Sequence, residues 1–182
     1  MAKAIGMIEV NSIARGFCVA DEMVKTSDVE IVTANSVCPG KYIAIVHGDV
    51  SSVETSVKRG IEIAQEFLVD SIVIPNVHST VFPAIIGTNM PEHIFALGIL
   101  ESYSLATMVI ATDAVLKSAD LSAIEIRLGT GLGGKSYFTF TGDVAAVKTG
   151  VEVGKEVIGG NGMLLNAEVI PSPSKKLIDT LY

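Results

Sequence analysis

The chain has 182 residues, 49% hydrophobic and 18% charged, with 13 Lys and Arg against 20 Asp and Glu and a formal charge of -7. Sparse charge and a mean hydropathy of +0.51 exclude a disordered chain, and the acidic balance excludes a protein that grips phosphate backbones by counterion release. So apolar a composition suggests a protein that buries outer surface as well as core.

Residues 4–10, AIGMIEV, are a short apolar run that predicts a strand. Ser12 follows as a helix N-cap, and the helix it opens carries Ala14, Phe17, Cys18, Asp21, Val24 and Lys25, with its apolar residues expected on one buried face. On that reading Cys18 is a small core hydrophobe. The β-branched runs at 29–34 and 42–46 predict two strands separated by the turn Val37-Cys38-Pro39-Gly40. Asp49 caps a second helix, with an expected buried stripe of Val50, Val53, Val57, Ile61, Ala64 and Phe67 or Leu68. Residues 69–74 make a last strand, and Pro83, Gly87 and Pro91 mark the connection beyond it. The same order then returns: strand 96–102, helix 105–118, strands 121–128 and 136–141, helix 144–158 capped by Asp143, and strand 163–170.

The recurrence is in the residues as well as the pattern. AIGMIE at 4–9 meets ALGILE at 96–101, and at the same offset Ser12, Asp21 and Lys25 meet Ser104, Asp113 and Lys117. After a slip of two, Gly40-Lys41 meets Gly134-Lys135, Gly48-Asp49-Val50 meets Gly142-Asp143-Val144, and Ile74-Pro75 later meets Ile170-Pro171. The chain is therefore two copies of an α/β (α+β) unit of about 85–90 residues. The expected domains are 1–88 and 93–182, each a β-α-β-β-α-β unit with a four-stranded antiparallel sheet and two helices on one face.

Function classes fall away in turn. The start has no secretory pattern, and the apolar stretch 67–86 is broken by Asp70, Pro75, Asn76, His78 and Pro83, so a cytosolic, reduced protein without a membrane span is expected. Two cysteines in such a chain are poor evidence for a disulfide. Residues 129–136, GTGLGGKS, match the P-loop pattern literally, but Tyr137-Phe138-Thr139-Phe140 continues as a strand where a P-loop needs a helix. His47, His78 and His93 have no metal-ligand spacing. Glu9 and Glu101 sit at equivalent strand positions, which favours a shared structural job over a catalytic carboxylate pair. No catalytic residue is nominated, and the chain reads as a non-enzyme.

The phrases AIGMIE, Asp21-Glu22-Met23-Val24-Lys25 and GDVSSVETSVKRG, with their counterparts ALGILE, Asp113-Ala114-Val115-Leu116-Lys117 and GDVAAVKTGVEVG, resemble the bacterial microcompartment shell domain. The resemblance covers essentially the whole chain and implies a tandem-domain, non-permuted shell protein in the shell of a cytoplasmic microcompartment. It implies a homotrimer whose six domains form a pseudohexamer that tiles with other shell proteins around a central pore. It places Lys25 and Lys117 at the tile edge; read from the residues, each is a helix-end lysine favourable to the macrodipole. Where many family members carry an arginine after the last strand's Ile-Pro, this chain has Asn76 and Ser172.

The resemblance also turns the loop between the second and third strands toward the pore, so a trimer brings three Cys38 residues and three glycine loops around one axis. The VCPGK loop is similar to that of the propanediol-utilisation type of tandem shell protein. That implies a [4Fe–4S] cluster, one per trimer, held by Cys38 of three chains and passing electrons across the shell, with a redox enzyme inside as a partner. A free pore thiol or bound zinc stays open at Cys38. Two other functions stay open for the whole chain: a small-metabolite binding or regulatory module that does not tile, and a nucleotide-dependent enzyme resting on GTGLGGKS.

Overall fold

A computed structural model describes residues 4–181. The chain runs β1 (Ala4–Val10), α1 (Ile13–Thr26), β2 (Val29–Val37), β3 (Lys41–Gly48), α2 (Val50–Ala64), a 3-10 turn (Gln65–Phe67), β4 (Leu68–Ile74) and α3 (Val81–Ile85). It continues through β5 (Ala96–Ser102), α4 (Leu105–Ser118), β6 (Ser122–Leu128), β7 (Ser136–Gly142), α5 (Val144–Gly159), β8 (Leu164–Ile170) and α6 (Lys175–Ile178). Two compact units result. The first runs to Ser79 and takes in Gly129–Gly134; the second comprises Thr80–Leu128 and the chain from Lys135 onward.

Each unit holds one four-stranded antiparallel sheet, in the order β2-β3-β1-β4 and β6-β7-β5-β8. The strand registers repeat as well. Ala4 stands opposite Gly48 as Ala96 stands opposite Gly142, and bulges recur between Glu9 and Val10 and between Glu101 and Ser102. Bulges also recur between Ile31 and Thr33 and between Ala123 and Glu125. The two-residue slip between the halves therefore falls in the connection after β2 and β6, residues 38–40 in the first half and 129–135 in the second.

The helix starts follow the expected capping chemistry. Ser12 Oγ accepts from the Arg15 amide at 3.3 Å and Ser104 Oγ from the Thr107 amide at 3.1 Å. Asp49 accepts from the Ser52 amide at 3.0 Å, and Asp143 from the Ala146 amide at 2.7 Å. These bonds satisfy amides that the first helical turn leaves without an internal partner. The Ser52 and Ser51 hydroxyls add to the set on Asp49, and together the donors hold its carboxyl down at about 2.

Helices and sheet approach closely at two equivalent glycines. A Cβ on Gly60 of α2 would stand 2.3 Å from Ile8 Cδ1, and one on Gly154 of α5 would stand 2.2 Å from Leu100 Cδ1. Every residue of β1 is buried, so the helices rest on a strand that is apolar along both faces except at Glu9.

Two expected helix faces need correction. In α1 the buried residues are Gly16, Val19, Ala20 and Met23, and Cys18 is exposed, not a core residue. The reason is close packing: Gly16 lies directly over the Tyr42 ring and takes the place nearest the sheet, while Phe17 rests on the flank of the same ring, 5.0 Å between centroids, with most of its surface exposed. In α2 the buried line is Val53, Ser56, Val57, Gly60 and Ala64, while Ile61 is exposed. Gly60 occupies the closest approach because a Cβ there would collide with Ile8 of the sheet and crowd Met23 of α1, and the buried Ser56 donates its hydroxyl to the Met23 carbonyl at 3.0 Å.

Candidate functional site

Cys38 lies in the tight turn between β2 and β3, where Gly40 donates its amide to the Val37 carbonyl at 3.0 Å. Gly40 has a φ of +85°, a left-handed conformation that a side chain disfavours. The thiol is half-buried. The amide of Cys38 donates to the carbonyl of Gly129 at 3.2 Å. The loop Gly129–Gly134 thus lies against the Cys38 turn within the first unit, although it belongs in sequence to the second repeat. Gly134 faces Pro39 so closely that a Cβ there would stand 3.0 Å from the Pro39 ring. Gly129, Gly131, Gly133 and Gly134 all have positive φ.

Each loop is anchored at its foot by an ion pair. Lys41 Nζ donates to Glu9 Oε1, and Lys135 Nζ donates to Glu101 Oε1 at 2.5 Å. The hydrogen bond to Glu101 raises the Lys135 ammonium above the usual lysine range. The expected shared structural job of Glu9 and Glu101 is this clamp. Its lysine half escaped the sequence reading, although the signal was present: Gly-Lys recurs in phase with the two glutamates. What was missing was the strand register, which sets Glu9 opposite Ile43 and so beside Lys41.

The P-loop-like run behaves as its context suggested. Lys135 is engaged by Glu101, and Ser136 opens β7, not a helix. His47 lies in β3 with its Nε2 3.5 Å from the Glu30 carboxylate. Lys25 and Lys117 stand in the last turns of α1 and α4 and each folds back on its own helix. Lys25 bonds Asp21 at 2.5 Å and Lys117 bonds Asp113 at 2.7 Å. The hydrogen bond to Asp21 raises the Lys25 ammonium.

Among the described residues, no group of three or more His, Cys, Asp or Glu side chains gathers within one chain to hold a metal ion. The donor at the turn is a single soft thiol, half-buried on a short, hydrogen-bonded loop. That donor suits a thiolate-ligated iron–sulfur centre in kind but not in number. Among the described residues, no helix is long and apolar enough to cross a membrane.

Comparison with known proteins agrees with this architecture. The BMC domain pattern matches twice, at residues 4–77 and 96–173. The bacterial microcompartment shell protein PduT of Citrobacter freundii is 37% identical over 177 residues, which is 97% of this chain and 96% of that protein. The carboxysome assembly protein CcmO of Synechocystis is 33% identical across 98% of this chain and 64% of its own length. A crystal structure of a microcompartments protein from Desulfitobacterium hafniense superposes with a TM-score of 0.94 at 43% identity, covering 98% of this chain and 99% of that one. With the pattern present in both halves and a relative matched nearly end to end, the chain belongs to the BMC-domain family as a tandem-domain shell protein of bacterial microcompartments.

Proposed function

We propose that three copies of the chain close into a pseudohexameric shell tile whose central pore is lined by the Cys38 turn and the Gly129–Gly134 loop. The observation that carries this reading is the joining of those two loops. They come from equivalent places in the two repeats, and the Cys38 amide bonds the Gly129 carbonyl at 3.2 Å. A ring of three chains would alternate them around one axis. Three-fold symmetry would then convert one thiol per chain into three ligands. Three Cys38 thiolates would hold a [4Fe–4S] cluster and leave one iron for another ligand. Such a cluster, when bound, supplies one-electron transfer, and its place in the pore would carry electrons between the two sides of the shell. The chain's own contribution is positional. Lys41, held by Glu9, and Lys135, held by Glu101, fix the feet of the loops and keep the thiol's depth constant. Lys25 and Lys117 lie at the outer edge in this reading, where each ammonium can exchange its helix-internal aspartate for a neighbouring tile's carbonyls.

Anoxic purification tests the cluster. The expected product is brown and carries about four iron and four sulfide per trimer, and Cys38→Ser loses both while keeping the trimer. Zinc alone, or unchanged iron in Cys38→Ser, refutes the cluster. Electron microscopy tests the tile, with flat three-fold particles or sheets expected.

A further inference from the structure

The two repeats carry different chemistry at equivalent places on one sheet face. In the first unit Tyr42, Ala44 and Val46 of β3 turn toward the helices, so Ile43 and Ile45 take the opposite face. Both are buried there, with Asn35 and Thr33 of β2 beside them. In the second unit the same register sets Arg127 opposite Tyr137 and Glu125 opposite Thr139. An isoleucine pair is thus replaced by a tyrosine and a threonine, next to an arginine and a glutamate. These four polar side chains line a cavity of about 470 Å³, a size at which small molecules are commonly held. The cavity lies within the second unit, between β6, β7 and the connection carrying Asn89 and Met90, and Leu181 completes its lining. Asn89 Nδ2 donates to the Ala123 carbonyl and pins that connection to β6.

The polar lining is organised around one carboxylate. Tyr137 donates its hydroxyl to Glu125 Oε2 at 2.6 Å, and Arg127 donates to Oε1 from Nε at 3.0 Å and from Nη2 at 2.6 Å. The guanidinium also stands 5.6 Å from the centroid of the Tyr137 ring, so two neighbours fix its position. Tyr137 keeps its proton far above neutral pH, and the charges of Glu125 and Arg127 cancel. Glu125 engages only the Nε side of the guanidinium. The other edge, with Nη1, takes no bond from the described residues. A guanidinium presents its donors as a planar fork, and an open edge of that fork matches a carboxylate.

We propose that this cavity binds a small aliphatic monocarboxylate, gripped by the open edge of Arg127 with its carbon chain along Met90 and Leu181. The charge balance sets the class. One open edge beside Glu125 suits a single negative charge, whereas a dianion such as phosphate meets repulsion from the neighbouring carboxylate. Met90, Leu181 and Ile124 supply apolar surface, which favours a hydrocarbon chain over a polyhydroxyl one. The first unit has no such site, because Asn35 stands where Arg127 supplies the cation.

Saturation-transfer NMR on the full chain, with hexanoate as the probe, tests the site. Hexanoate is expected to bind with a dissociation constant on the order of 1 mM. Hexanamide, which has the same shape without the charge, and inorganic phosphate are each expected to bind at least about tenfold more weakly. Arg127→Gln removes the fork, and Arg127→Lys keeps the charge but not the fork. Each is expected to weaken hexanoate at least about tenfold. The Arg127 side chain is half-exposed, so the fold should hold, which thermal unfolding checks. The hexanamide comparison needs no substitution, and it decides the charge requirement even where a variant fails to fold. No saturation transfer at hexanoate concentrations well above the expected constant overturns the proposal. So does hexanamide or phosphate binding as tightly as hexanoate, and so does unchanged hexanoate affinity in a folded Arg127→Gln variant.

Discussion

The paired clamps at the loop feet make a quantitative prediction, because the same chemistry is set at two depths in one chain. The Glu9 side chain is 3% exposed and that of Glu101 is 31%. Replacing Glu9 with Gln keeps the shape and one acceptor but removes the charge opposite Lys41. A charged hydrogen bond contributes about 1.5–3 kcal/mol, and leaving a buried partner uncompensated costs about 3–5 kcal/mol. The retained amide oxygen and the partial exposure of Lys41 place Glu9→Gln near the lower range, about 2–3 kcal/mol. For a chain of this length that lowers the melting temperature by about 5–10 °C. Glu101→Gln disturbs a half-open pair, and surface pairs contribute little, so a shift of no more than about 2 °C is expected. Thermal unfolding followed by circular dichroism at pH 7, at one fixed protein concentration, measures both, since association would otherwise move the midpoint. High salt should shrink the Glu101 effect and leave most of the Glu9 effect. Equal shifts, or a larger one at Glu101, would refute the claim that burial sets the strength of the clamp.

Two further perturbations probe the packing and the second sheet. Gly154→Ala places a methyl 2.2 Å from Leu100 Cδ1 in a filled core. Overpacking of about 1–3 kcal/mol then outweighs a helix-propensity gain of up to about 1 kcal/mol, so net destabilisation is expected. Gly159→Ala in the same helix meets nothing within 4 Å, and denaturant melts should show no loss there. Tyr137 is pushed up to about 12 by burial first, then by its 2.6 Å hydrogen bond to Glu125 and that carboxylate's charge. An unfolded tyrosine ionises near pH 10, so the stability Tyr137 contributes is complete below about pH 10 and is lost as pH rises through about 12. The ultraviolet phenolate signal missing from Tyr137→Phe should titrate at about 12, and a midpoint near 10 would show that the phenol is neither buried nor bonded to Glu125.

Much of the fold was legible in the residues because local chemistry repeats locally. Ser12, Asp49, Ser104 and Asp143 announce four helix starts, since a cap needs an oxygen within three residues of an open amide. The paired AIGMIE and ALGILE phrases and the doubled GDV announce two copies of one sheet, and both sheets have the same strand order. Helix rotation was less legible. Periodicity pointed to the Phe17–Cys18 side of α1 as the buried one, whereas the buried side is Gly16, Val19, Ala20 and Met23; both sides read as apolar or small. The choice was made by Tyr42, whose ring fills the space over Gly16.

At the candidate site the division is similar. Cys38, its Pro-Gly turn and the glycine-rich counterpart were visible in the sequence, as was the shared role of Glu9 and Glu101. The lysine partners were not, because a cross-strand neighbour is defined by register, and register depends on bulges that composition does not mark. Nor was the placement of Gly129–Gly134 against Cys38, a contact between residues about ninety positions apart. That the protein is one shell unit written twice follows from its residues alone, because strand alternation, caps and turns are read within a few residues. Which of two equivalent surfaces is core and which is left open is settled by packing across the fold. Burial is a property of what stands opposite a residue, and for Phe17 and Val109 that differs although the repeat makes them the same position.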